Sequence, residues 1–442
     1  MKTERAISAL IIGCLIITGC RAAPSGLTEA GMHADVDYLV RTLLEVHPLT
    51  VEGFDPQQEA VIAQVRQQVR ETGTSTEFLL LISQIAAALG DGHTAFRLQF
   101  RDRRVPLDLV WLADGLYVLR SRGQARAGER VVRIGSMTEA EILASLRKYI
   151  SADNDHALRV MGERLLMQET MLRTLGLLEA DGTVPVTLEG TEGVREVRMG
   201  LTEVPSSPPV LRPGRPWIGW EIEPEHGLGI LHLDRCDPNR EYDQVLQEFF
   251  TALAEGGVEN IVVDLRYNPG GNSQVVNRFL RYLAVDTYRS FGMTIRYSQA
   301  ASKQRGYKQI SGQDSYPPLV LPNQKIEGLT FSGSIYVLIS PRTFSSAVLF
   351  ATVLADNGLA TLVGEPTGNA PSSPGDILTF RLPHSGYSFT VSHKLFLRPR
   401  GDSCDDTLQP HVYVPTGIQD ILSRRDPQLE AVRSLIARRT GN

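Results

Sequence analysis

The 442-residue sequence has no excess of positive charge, no internal repeats and no low-complexity tracts. Its formal charge of −5 gives no indication of a nucleic acid partner. It also has no apolar run long enough to cross a membrane, because the longest N-terminal run covers only residues 6–17. What it does have is 42% apolar residues over a long chain, which predicts a large core and two or three domains.

The N-terminal run has the proportions of the apolar part of a secretory signal. Lys2 and Arg5 precede it, and Ile17-Thr-Gly-Cys20 at its end is typical of a bacterial lipobox. We therefore predict a lipoprotein signal peptide over residues 1–20, cleavage before Cys20 and a lipid on its sulfur. The mature protein would then be anchored to a membrane of the bacterial cell envelope, and a plain signal peptide is the alternative.

Cysteine is otherwise scarce. Besides Cys20, the exported chain would keep only Cys236 and Cys404, which would lie in an oxidising compartment. They form either one disulfide or two buried thiols, and the sequence does not distinguish these outcomes.

Hydrophobic periodicity divides the mature chain into three regions. Helical spacing predicts an N-terminal helical domain over residues 27–98. Short strands, one helix and a segment with a faint PDZ-like pattern indicate a β-rich middle region over residues 105–225. From residue 226 to 440, β-branched runs alternate with helical segments, which predicts an α/β core whose sheet is covered on both faces.

A serine lies where a buried strand of this core turns into a helix. The segment Ser-Pro-Arg-Thr-Phe-Ser-Ser, residues 340–346, follows one apolar run and precedes another. At such a junction Ser345 is either a simple helix N-cap or a nucleophile facing the free amides of the helix.

Two further segments favour the nucleophile. Pro269, Gly270 and Gly271 follow the buried strand 261–265 directly, where a backbone exposing its N–H groups would form an oxyanion hole or simply a turn. His93 lies on a glycine-flanked turn beside a carboxylate, which suits a general base as well as a surface histidine.

Taken together and in this order, these segments resemble the S41 family of serine peptidases, which comprises the tail-specific or carboxyl-terminal processing proteases and their tricorn-core relatives. The specific matches are Asp91–Thr94, Asp264–Asn272, Thr343–Ala347 and Val363–Gly368. Weaker similarity extends through His47-Pro48 and residues 106–114, 150–154 and 382–386. The resemblance implies an α/β fold with a crotonase/ClpP-like catalytic core.

Carried over position by position, the resemblance implies that Ser345 is the nucleophile and that the backbone N–H groups of Ser346 and of Gly270 or Gly271 form the oxyanion hole. It also places the chain in the tricorn-like branch, because the segment after Gly368 lacks the lysine of the processing proteases. His93 is then the expected base. An acidic residue of the C-terminal segment would orient it, and we expect Asp406, with Asp405 as the alternative.

The sequence therefore predicts an exported serine peptidase that acts on peptide or protein substrates and needs no metal or organic cofactor. Because Val348 and His411 depart from the residues usual in relatives, a silent peptide- or ligand-binding protein is one alternative. An esterase-like serine hydrolase is another.

Overall fold

The computed structural model describes residues 26–100, 102–203, 215–401 and 405–440. The predicted signal peptide with Cys20, and Cys404, lie outside these ranges. No helix within them combines the length and apolarity that a membrane span requires.

The described residues form a mixed α/β protein. Its helices are α1 (Glu29–Val46), α2 (Pro56–Gln68), α3 (Ser75–Ala87), α4 (Glu139–Leu146), α5 (Asp155–Leu165), α6 (Glu169–Thr174), α7 (Arg240–Gly256), α8 (Gln274–Leu280), α9 (Gln299–Arg305), α10 (Ser346–Asp356), α11 (Ile418–Ser423) and α12 (Pro427–Thr440), with short 3₁₀ turns at Val69–Glu71 and Pro224–His226.

The strands of the described residues, whose bounds follow, lie in four sheets. They are β1 (Ala95–Phe96), β2 (Leu107–Leu112), β3 (Gly115–Ser121), β4 (Arg130–Ile134), β5 (Met137–Thr138), β6 (Thr183–Gly190), β7 (Gly193–Gly200), β8 (Ile218–Glu223), β9 (Leu228–Leu233), β10 (Asn260–Asp264), β11 (Thr287–Arg289), β12 (Gly292–Arg296), β13 (Gln313–Tyr316), β14 (Val320–Pro322), β15 (Ser334–Ile339), β16 (Thr361–Gly364), β17 (Pro374–Arg381), β18 (Ser388–Leu397) and β19 (Val412–Tyr413).

The N-terminal region is helical, as its periodicity predicts. Capping boxes begin α2 at Asp55 and α3 at Thr74, so the first free amides of both helices find acceptors. The middle region folds into an antiparallel sheet of order β2-β3-β4-β6-β7 with α4 and α5 packed beside it. This region contains more helix than the one predicted, because α5 and α6 follow α4 before the chain returns to the sheet at β6.

The C-terminal region contains the predicted sheet, in the order β19-β16-β15-β10-β9-β8, with all neighbours parallel except β8 and β9. Successive residues along its strands face two apolar layers in turn. Ile261, Val263 and Val337 face the layer of α7, α8 and α10, while Val262 and Tyr336 face α12. This double covering explains the continuous apolar runs of the sequence.

The carboxyl ends of β9, β10, β15 and β16 lie side by side, because these strands are parallel neighbours. A separate sheet of β1, β18, β12 and β13, with β17 on the other side of β18, brings the N-terminal region close. There Ala95 pairs with Thr390, so the segment carrying His93 is attached to the C-terminal part of the chain. The parallel sheet and this antiparallel sheet thus bring the turn of His93 against the turn that precedes α10.

Candidate active site

Ser345 occupies a strained backbone conformation between β15 and α10. Its φ is 54° and its ψ is −126°, values that a residue with a Cβ adopts only when its surroundings impose them. Two hydrogen bonds impose them here: the N–H of Ser345 donates to Asn369 Oδ1 over 2.6 Å, and that of Phe344 donates to the carbonyl of Asn268 over 3.0 Å. The turn therefore holds the serine hydroxyl away from the helix flank.

The glycine pair after β10 packs against this turn. A Cβ at Gly270 would lie 2.5 Å from the Cβ of Ser345, and a Cβ at Gly271 would lie 2.2 Å from the carbonyl oxygen of Cys236. Both glycines also have positive φ, 98° and 136°. Only glycine therefore allows the loop to approach Ser345 this closely.

Two backbone N–H groups at this point are available to a ligand. Among the described residues, neither the N–H of Gly271 nor that of Ser346 makes a hydrogen bond. The N–H of Gly270, in contrast, donates to Asn268 Oδ1 over 2.8 Å. Of the two glycines that the sequence offers for an oxyanion hole, the geometry favours Gly271.

His93 lies across from Ser345 on the turn between α3 and β1. Its ring packs on the ring of Phe344, the residue before Ser345, with 4.8 Å between ring centroids. Thr390 fixes the backbone by donating its hydroxyl to the carbonyl of His93 over 2.7 Å. No hydrogen bond joins His93 to Ser345 in the described part of the chain, so the contact of His93 with Phe344 brings the two residues near each other without linking them.

Two carboxylates set the electrostatics of His93. Asp91 Oδ1 is 3.6 Å from His93 Nδ1, and Asp153 Oδ2 accepts the N–H of Gly92 over 3.3 Å. Burial alone would lower the pKa of His93, but Asp91, with a smaller contribution from Asp153, outweighs it and raises the pKa above 6.5. Burial, aided by the charge of Asp91, raises the pKa of Asp153 to about 7.

The structure does not bring Asp406 or Asp405 to His93. The backbone carbonyl of Asp406 accepts a hydrogen bond from Asn154 over 2.8 Å, and its charge acts on His156. Asp405 pairs instead with Arg398 and Arg400. No ion pair or hydrogen bond links either aspartate to His93 among the described residues, because their loop is held elsewhere by these contacts.

Cys236 lies beside the glycine loop but is no competing nucleophile. It is buried, and its thiol donates to Asn268 Oδ1 over 3.5 Å. Burial raises the pKa of this thiol to about 12, so it stays protonated at neutral pH.

Sequence reasoning missed three polar residues that hold the site together. They are Asn369, whose side chain accepts from Ser345, Asp153 beside Gly92, and His47, which contacts Asp91. His47 and residues 150–154 lie in segments that carry the weaker family similarity. Asn369 directly follows the Gly-Glu-Pro-Thr-Gly segment, so its position was the available signal.

The fold is thus an α/β sheet with a strained serine and free amides at its carboxyl edge, a geometry typical of serine hydrolases. Residues 227–414 match the family model of peptidase family S41.

Solved structures with the same fold include peptidases. Mature CPAF complexed with lactacystin is 16% identical with a TM-score of 0.69, and the match covers 93% of this chain and 99% of that one. Mature CPAF alone is 17% identical with a TM-score of 0.68, covering 93% and 97%. A candidate peptidase from Parabacteroides merdae ATCC 43184 is 14% identical with a TM-score of 0.50, covering 91% and 96%. At these identities the likeness establishes the fold alone.

Proposed function

We propose that this protein is a peptidase that cleaves peptide bonds through an acyl-enzyme formed on Ser345. The observation that carries the proposal is the strained turn at Ser345, with the free amides of Gly271 and Ser346 beside it. A strained conformation of this kind persists only where the surrounding structure imposes it, and such residues cluster at active sites. As a simple helix cap, Ser345 would accept an amide hydrogen bond, but its side chain makes no cap hydrogen bond with α10.

In the proposed reaction, Ser345 Oγ attacks the carbonyl carbon of the scissile bond while His93 accepts the hydroxyl proton. The N–H groups of Gly271 and Ser346 then stabilise the negative oxygen of the tetrahedral intermediate. His93 returns the proton to the leaving amine, and water releases the acyl group by the same steps in reverse. Catalytic hydrogen bonds often close only when substrate binds, which accommodates the open Ser345–His93 geometry.

We further propose that the protein is exported and anchored through a lipid on Cys20, as the lipobox predicts. This proposal rests on the sequence alone, since Cys20 lies outside the described residues. Metabolic labelling with a palmitate analogue, compared between wild type and Cys20→Ala, tests it. Equal labelling of both would contradict it.

Reaction of the signal-free protein with a fluorophosphonate probe tests the proposed chemistry. We expect labelling of wild type and its loss in both Ser345→Ala and His93→Ala. Ser434→Ala is the control, because it removes an exposed serine hydroxyl that donates to the carbonyl of Glu430 within α12, away from the site. Labelling that persists in Ser345→Ala would place the reactive group elsewhere, while folded wild type that never reacts would favour a silent binding protein.

A peptide substrate library and a panel of p-nitrophenyl esters separate the peptidase from the esterase alternative. We expect Ser345-dependent cleavage of peptides. Cleavage of esters without any peptide would contradict the peptidase assignment of this site.

A further inference from the structure

The Asp91 carboxylate is buried between two histidines and is saturated with hydrogen bonds. Asp91 is 1% exposed, and its Oδ2 contacts His47 Nε2 at 3.1 Å. The hydroxyls of Thr94 and Ser392 donate to the same oxygen over 2.6 and 2.7 Å. Its other oxygen, Oδ1, accepts the N–H of His93 over 2.9 Å and faces the ring of His93.

Local sequence builds this arrangement. Gly90, with φ of 64°, ends the helical segment and turns the chain inward, so that Asp91 caps its own turn by binding the amide of His93. Ser151 donates its hydroxyl to the backbone carbonyl of Asp91 over 2.7 Å. Asp91 is therefore held from three separate parts of the chain: its carboxylate by the N-terminal helical region and β18, and its backbone by the middle region.

The hydrogen bonds of His47 define its role. Its Nδ1 accepts the N–H of Leu49 over 3.3 Å, so its proton lies on Nε2 and is donated to Asp91. His47 is fully buried. Its Nε2–H therefore stabilises the negative charge of Asp91.

We infer that Asp91, held by His47, is the positioning carboxylate for His93, in place of the C-terminal aspartates. This inference rests on the proposed function of His93 as the base. Asp91 favours the ring orientation that points Nδ1 towards Oδ1, so Nε2 is the nitrogen that would accept the proton of Ser345. A nearby negative charge also stabilises the imidazolium that forms when Ser345 loses its proton.

The charged groups around His93 make the inference measurable. Asp91 and Asp153 face its ring, while the packed residues of β18, Thr390 and Ser392, are uncharged. Burial pulls the pKa of His93 down and the two carboxylates push it up, with Asp91 the larger of the two. Removing the charge of Asp91 leaves burial dominant, so the midpoint should move from above 6.5 towards more acid pH.

The experiment is an NMR titration of the His93 ring in wild type, Asp91→Asn and Ser392→Ala, with His93→Ala used to assign the signal. We expect Asp91→Asn to lower the His93 midpoint by about one pH unit or more. Ser392→Ala removes one hydrogen bond from the same carboxylate but keeps the charge, so the midpoint should stay. The double variant Asp405→Asn/Asp406→Asn should also leave it unchanged.

Probe labelling of the same variants reports on function. At pH 7 we expect Asp91→Asn to react on the order of 100-fold more slowly, because its His93 loses both orientation and charge stabilisation. A rate unchanged from wild type would overturn the inference. So would an unchanged His93 midpoint in Asp91→Asn, or a midpoint that moves in the C-terminal double variant.

The readouts separate this inference from the function on which it rests. Wild type that never labels overturns the proposed function, while the titration still measures the coupling of Asp91 to His93. If Asp91→Asn does not fold, the wild-type titration decides: a midpoint above 6.5 supports the inference, and one below 6.5 overturns it.

Discussion

The side of the site that carries Ser345 and the side that carries His93 are held by different interactions. Ser345 is fixed mainly by backbone: a positive φ, two glycines packed against the turn and a hydrogen bond from its N–H to Asn369 Oδ1. His93 is fixed by side-chain charge, since the buried Asp91 and Asp153 surround its turn. Neither side contains the whole machinery.

Because of this difference, variants on the two sides should affect the pH profile of the reaction differently. Backbone geometry does not titrate, so damage to the Ser345 side should lower the reaction rate equally at every pH. Carboxylates and imidazole do titrate, so damage to the His93 side should change the pH profile. Variants from both sides can therefore be sorted by the shape of the profile as well as by the rate.

Gly271→Ala should have the largest effect of the predictions that follow. The new Cβ would lie 2.2 Å from the carbonyl of Cys236, so the loop must shift and move the amide of Gly271. Loss of one oxyanion donor lowers rates by about 100-fold or more, and we expect that loss at all pH values. Rates of probe labelling from pH 6 to 9 measure it.

Gly306→Ala is the matched control for this change. Gly306 has φ of 74°, but a Cβ there meets no atom within 4 Å. It should show the backbone strain of such a substitution with an unchanged labelling rate. An equal loss of labelling in both variants would contradict the assignment of the Gly271 amide.

Asn369→Ala should have a smaller effect, again without a change in profile. It leaves the buried N–H of Ser345 without an acceptor, which typically costs about 2 kcal/mol of unfolding free energy, and it relaxes the strained turn. We expect roughly 10-fold slower labelling. Denaturant unfolding and labelling rates, compared with Asn357→Ala at the far end of α10, check it. Slowing in the Asn357 variant to the same extent would count against a specific role.

Asp153→Asn should have the smallest effect on rate, but it should change the pH dependence of stability. Because the folded-state pKa of Asp153 is raised to about 7, the folded protein binds a proton that the unfolded chain has lost above about pH 4. Stability from this group is therefore present at acid pH and falls as pH rises towards 7. Substitution of Asp153 by asparagine removes this loss of stability, because the amide side chain does not ionise.

We accordingly expect Asp153→Asn to gain about 2 kcal/mol relative to wild type at pH 8 and little at pH 4. Thermal unfolding at the two pH values measures it. The exposed Asp155→Asn is the control and should show no such difference. A gain that is equal at both pH values would contradict the raised pKa of the buried Asp153 carboxyl.

The parallel sheet and the turn of Ser345 could be predicted from the sequence, because they depend on local patterns. Continuous apolar runs indicated β10 and β15, and the glycines and serine followed them directly. The glycine-flanked turn that carries His93 could be predicted for the same reason, since Gly90 and Gly92 flank it in the chain.

The polar network could not be predicted, because its members are far apart in sequence. Asp91 is joined to His47 and to Ser392, 44 and 301 residues away, and no periodicity records such contacts. The carboxylate that we infer to orient His93 was missed for a different reason, since it lies close to His93 in the sequence. Asp406 was expected from the resemblance of its segment, whereas the geometry places Asp91, two residues before His93, beside the imidazole.

The pH dependence of probe labelling at Ser345 tests the central claim most directly. If neutral His93 must accept the proton of Ser345, the rate should rise with pH and reach half its plateau above pH 6.5, since Asp91 raises the pKa of His93. A labelling rate that is flat from pH 5 to 8 would contradict His93 as the base.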